Sequence, residues 1–147
     1  MLTNAIAQLT ELLATVPVAL SSISDEKFSA KPSLNEWSKK EILGHLIDSA
    51  ANNHQRFIRL QYESQPSLFY DPDKWNELNQ YQKLDTTKLI QFWKMYNEHL
   101  LHGIQIIEPS DYGNLCHVGQ PELVTLEFLV TDYITHMKHH LNQLINE

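Results

Sequence analysis

Four long stretches of this chain repeat their apolar residues every three or four positions, which commits it to amphipathic helices packed on one another. Only four glycines interrupt the 147 residues, so the expected fold is all-α, a four-helix bundle forming a single domain over 1–147. Ile6, Leu9, Leu12, Leu13 and Val16 form the first stripe and place helix one over about Asn4 to Leu20, where Pro17 kinks or tightens its end. Residues 21–37, with Pro32 among polar side chains, read as a loop. Ser38-Lys39-Lys40-Glu41 is a capping box, in which the Ser hydroxyl and the Glu carboxylate each satisfy an otherwise orphaned backbone N–H. Helix two runs from there to about Gln61. Asp85 caps helix three, which carries Leu89, Phe92, Trp93, Tyr96, Leu100 and Ile104 and frays towards Gly103 and Pro109. Helix four starts near Thr125 and runs almost to the C-terminus. Between helices two and three lies Tyr62–Leu84, a long segment rich in Phe69, Tyr70, Trp75 and Tyr81. A connection of that length in a compact domain needs a reason.

The composition is ordinary except for eight histidines. His136 and His140 stand four apart on helix four and project from one face, a spacing suited to two imidazoles on one metal ion. A helical wheel puts Leu126, Leu129, Val130, Tyr133, Met137 and Leu144 on the buried arc. His140 falls inside that arc, His136 at its edge, and His139 points away. A pair alone is better explained by ordinary hydrogen bonds in the core or at its rim. A third ligand is needed, and His45 is the candidate.

His45 lies about two turns into helix two, and His140 about two turns from the end of helix four. Those heights coincide only if the two helices are antiparallel. An up-down-up-down bundle makes them parallel; up-down-down-up makes them antiparallel but requires a crossover as long as a helix. Tyr62–Leu84 is long enough to be that crossover at roughly 3.3 Å per residue. One feature opposes this. On the wheel His45 shares a polar stripe with Asp48, Ser49, Asn52 and Arg56, away from the apolar arc of Leu43, Leu46, Ile47, Ala50 and Phe57. Such a stripe reads as a solvated face, or else as the lining of a wet cleft.

The segment from Trp37 through Gly44-His45-Leu46-Ile47-Asp48 to Ser49 resembles the opening motif of the DinB-like superfamily, and Asp132 through His136-Met137-Lys138-His139-His140 to Leu144 resembles its closing motif. The resemblance implies a four-helix bundle with the crossover topology. It also implies a three-histidine divalent-metal centre at His45, His136 and His140. Members are similar to thiol-dependent S-transferases and to metal-dependent hydrolases, so a small-molecule substrate and a low-molecular-weight thiol cosubstrate are the expected ligands.

Three neutral imidazoles leave a coordination position open, which is the catalytic and not the structural arrangement. Zn, Ni, Fe and Mn all accept such a site, so the metal is not specified. Asp48, one turn after His45, is the catalytic candidate, as an orienter of a ligand imidazole or as a base; Asp132, one turn before His136, is its counterpart. Arg56 and Arg59 are better read as a solvated face than as anion contacts. Trp37, just before the capping box, reads as a hydrophobic staple or core anchor. His99 and His102 form a rival pair without a third ligand, and Cys116, the only cysteine, reads as incidental beside His117. There is no His-Glu-x-x-His and no paired Glu-x-x-His. The competing function is a non-catalytic bundle that binds a metal or small ligand.

A net charge of −7 argues against nucleic acid as partner. No apolar run is long enough for a membrane span. The first residues lack a signal peptide's basic and apolar regions, so a cytoplasmic location is expected. A homodimer is compatible with these features.

Overall fold

The computed structural model describes residues 2–147. Four long helices dominate: α1 (Thr3–Ser21), α3 (Lys39–Arg59), α5 (Thr86–Gln105) and α6 (Leu126–Asn146). Two short ones, α2 (Asp25–Ser29) and α4 (Pro72–Asn79), lie in the connections, and β1 (Leu115–Cys116) pairs antiparallel with β2 (Val124–Thr125) before α6. Helix α1 continues through Pro17 to Ser21. The Ser38–Glu41 capping box is formed in both directions and opens α3, and Asp85 accepts from Lys88 N at the start of α5. No helix among the described residues is long and apolar enough to cross a membrane.

The helix directions of the bundle follow from contacts at one end. Lys39 Nζ, in the first turn of α3, donates to the carbonyl of Leu144 in the last turn of α6 over 2.6 Å. Lys40 Nζ donates to the carbonyl of Leu84, just before α5, over 3.0 Å. Thr86 at the start of α5 bonds Asp25, just past the end of α1. The ends of α1 and α6 and the starts of α3 and α5 therefore meet, which is up-down-down-up. Each of α1 and α3 packs on both α5 and α6, and Leu9, Leu43, Leu46, Trp93, Leu100, Leu126 and Met137 fill the space between.

Residues 21–37 are not simply a loop. Ser24 caps α2, and Phe28 from that helix is fully buried and closes the end of the core. A five-residue helix is too short to show periodicity, so only its one apolar anchor betrays it.

The crossover is structured along its length. Its start is pinned by Leu68 N to His117 O (2.7 Å) and His117 N to Pro66 O (3.0 Å). Asp71 then caps α4, with Pro72 in the first turn where its missing N–H costs nothing. Gln80, at φ +51°, ends α4 in the left-handed region, and Tyr81–Lys83 make a 3-10 turn. Asn76 Nδ2 donates to Glu41 O over 2.9 Å, holding α4 against the beginning of α3. The segment thus runs back along α3 and covers its polar stripe.

That cover overturns the solvated reading of the stripe. Asp48 is 1% exposed, Ser49 is buried, and Arg56 donates from Nε to Leu68 O over 2.9 Å with its guanidinium 5.7 Å from the Tyr70 ring centre. Arg59 remains at the rim, paired with Glu63. The crossover supplies the polar partners that water would otherwise supply.

Candidate metal centre

The antiparallel run of α3 beside α6 brings His45 opposite the His136–His140 pair. His45 Nε2 lies 3.1 Å from His136 Nε2. The ring centres are 5.0 Å apart for His45 and His136, 4.7 Å for His45 and His140, and 4.6 Å for His136 and His140. One nitrogen from each ring falls within 4.8 Å of the others, and among the described residues no further His, Cys, Asp or Glu joins a cluster of this kind. His140 Nδ1 donates to Gln143 Oε1 over 2.8 Å, which leaves its Nε2 with the lone pair. His139 stays on the exposed side of α6.

Burial favours the uncharged form of all three rings. His45, 5% exposed, has its pKa pushed down to about 3 by loss of solvent and then by the neighbouring His136 and His140. Burial also lowers His136, against the opposing pull of the Asp132 carboxylate, and lowers His140, against its bond to Gln143. Asp132 itself is exposed. Converging neutral imidazoles are the donor set a divalent transition metal requires, so these residues fit such an ion.

Trp37 is not sunk in the core. Half-buried, its ring lies 5.0 Å from that of His45, centre to centre. It forms one wall of a cleft of about 820 Å³ that His140, Gln143, Ile42, Pro32 and Lys39 also line. The histidine cluster therefore has an opening to solvent beside it.

Asp48 lies outside the trio. Its Oδ1 accepts from the Tyr81 hydroxyl and from Asn79 Nδ2, the latter over 2.9 Å. Burial raises its pKa to about 6 although both hydrogen bonds oppose the rise. Tyr81 and Asn79 come from the crossover and carry no periodic signal. Gly44, an isolated glycine inside a helix, was the visible sign that something approaches α3 closely there.

The remaining candidates lie elsewhere. His99 faces His54 across the α3–α5 seam, ring centres 5.3 Å apart, while His102 is exposed. His54 Nδ1 is 3.1 Å from the Tyr96 hydroxyl. Cys116 is fully buried, and burial pushes its thiol pKa up, which disfavours the nucleophilic thiolate.

The family model for the DinB superfamily matches residues 8–144. The chain belongs to the DinB superfamily. It is 22% identical over 135 residues to YfiT of Bacillus subtilis, covering 90% of this chain and 76% of that protein. The solved structure of YfiT, described as a probable metal-dependent hydrolase with an unusual four-helix bundle topology, superposes with a TM-score of 0.85 over 97% of this chain and 82% of YfiT. A mycothiol-dependent maleylpyruvate isomerase superposes with a TM-score of 0.81 at 12% identity, over 98% of this chain and 60% of the isomerase. At these identities the superpositions establish the shared fold.

Proposed function

We propose that this DinB-superfamily protein is a metal-dependent enzyme acting on a small molecule, as a thiol S-transferase or a hydrolase, with His45, His136 and His140 holding the ion. The carrying observation is the convergence of three buried or half-buried imidazole rings beside an open cleft. A divalent ion there supplies Lewis acidity, which activates a thiol or a water molecule at neutral pH. The chain's own part is to keep three ligands neutral, to fix His140 through Gln143, and to shape the approach along Trp37. Likeness to a metal-dependent hydrolase and to a thiol-dependent isomerase supports both chemistries and does not separate them.

Elemental analysis of the native protein comes first. The Co²⁺-substituted protein is then titrated with small thiols, following the sulfur-to-metal charge-transfer band, and assayed with a reactive electrophile against His140→Ala. A band with metal-dependent conjugation supports the transferase. No band, with metal-dependent cleavage of an ester or amide, supports the hydrolase. Bound metal without turnover across a broad panel would overturn both in favour of a binding bundle.

A further inference from the structure

Beside the histidine cluster two buried side-chain atoms have no partner, His45 Nδ1 and Asp48 Oδ2. Among the described residues only Trp93 Nε1, on α5, is orphaned in the same way. The two atoms belong to residues one turn apart on α3, which share a face of the helix. A buried polar group left unpaired forfeits its hydration without replacement and is destabilising. Their needs are complementary. His45 Nε2 lies 3.1 Å from His136 Nε2, and a neutral ring that accepts there carries its proton on Nδ1, which is then a donor lacking an acceptor. Oδ2 of Asp48 is an acceptor lacking a donor.

The other oxygen of Asp48 is already occupied by Tyr81 and Asn79. Tyr81 reaches it by lying on α3 where Gly44 has no side chain; a Cβ at Gly44 would stand 2.1 Å from the Tyr81 ring. The glycine next to His45 thus admits the residue that holds the carboxylate.

We propose that Asp48 is the positioning residue of His45: Oδ2 accepts the Nδ1 proton, the ring keeps its Nε2 lone pair towards His136 and His140, and Tyr81 with Asn79 holds the other carboxylate oxygen. Nδ1 and Oδ2 are not bonded to each other as the side chains stand, so the proposed contact requires a change in the His45 or Asp48 side chain. A histidine ligand is commonly oriented by a carboxylate on its second nitrogen, and losing that partner lowers metal affinity by about 10–100-fold. The consequence for metal rests on the function proposed above; the tautomer of His45 does not.

Asp48→Asn separates positioning from structure. Its Oδ1 still accepts from Tyr81 and Asn79, but an N–H stands where Oδ2 was, and this favours the opposite tautomer of a facing imidazole. The His45 tautomer is read from ¹⁵N shifts and long-range N–H couplings in metal-free protein, and Zn²⁺ affinity by chelator competition. The expected result is Nδ1–H in the parent, Nε2–H in Asp48→Asn, and roughly 10–100-fold weaker Zn²⁺ binding in the variant. Tyr81→Phe, which keeps the acceptor, should retain Nδ1–H and lose less affinity. An Nε2–H parent, or an unchanged tautomer in Asp48→Asn, would overturn the proposal. If the parent binds none of Zn²⁺, Ni²⁺, Fe²⁺ and Mn²⁺, the metal reading fails while the tautomer still decides this one.

Discussion

Lys39 Nζ reaches the carbonyl of Leu144 across 2.6 Å, joining the first turn of α3 to the last turn of α6. A cation at a helix C-terminus also meets the negative end of the helix dipole. Spin labels at the exposed Glu36 and Asn146 should therefore lie close together. Labels at Tyr62 and Asn146 should be separated by about a helix length, near 30 Å for twenty residues. Double electron–electron resonance giving the reverse order would reject the antiparallel pairing and the histidine site with it.

Replacing His45, His136 or His140 by alanine should each strip most of the bound metal, because each supplies one converging nitrogen. His139→Ala should keep near-normal content, since that ring is exposed on the outer side of α6. Metal-to-protein ratios from elemental analysis provide the check. Equal loss in all four proteins would dissolve the distinction.

Gly44→Ala should destabilise the fold by about 1–3 kcal/mol, the usual cost of forced overpacking. The new Cβ would stand 2.1 Å from the Tyr81 ring, and that collision outweighs the gain of about 1 kcal/mol that Gly→Ala brings inside a helix. Adding Tyr81→Ala should recover part of the loss relative to Tyr81→Ala alone. Urea unfolding of the four proteins tests this; strict additivity would show that the two sites do not meet.

The stability of the metal-free protein should carry a pH signature from Asp48. Its folded pKa of about 6 lies above its ordinary 3.8, so the folded state binds the proton more tightly. Its contribution is full below about pH 4 and is lost as pH rises through 6. Asp48→Asn lacks this term. The stability of Asp48→Asn minus that of the parent should increase between pH 4 and pH 7. A flat difference in urea midpoints would mean that the Asp48 carboxyl is not held above its ordinary pKa.

What could be read locally was read without tertiary information. The capping box, apolar stripes and the four-residue spacing of His136 and His140 depend on neighbours within a turn or two, so the four long helices emerge from the chain itself. The direction of α3 against α6 was also accessible, because the length of Tyr62–Leu84 and the heights of the histidines restrict the same choice. The polar stripe of α3 was not. A wheel records where Asp48 and Arg56 point, and it cannot record that a chain segment will lie over them. The same holds for Phe28 closing the core, for His54 facing His99, and for Trp37 against His45. In each case the partner arrives from another element, and its position depends on how the whole chain packs. Sequence periodicity determined the helices and which faces seek the core; packing of the crossover decided that a polar face is buried, and with it which groups stand around His45.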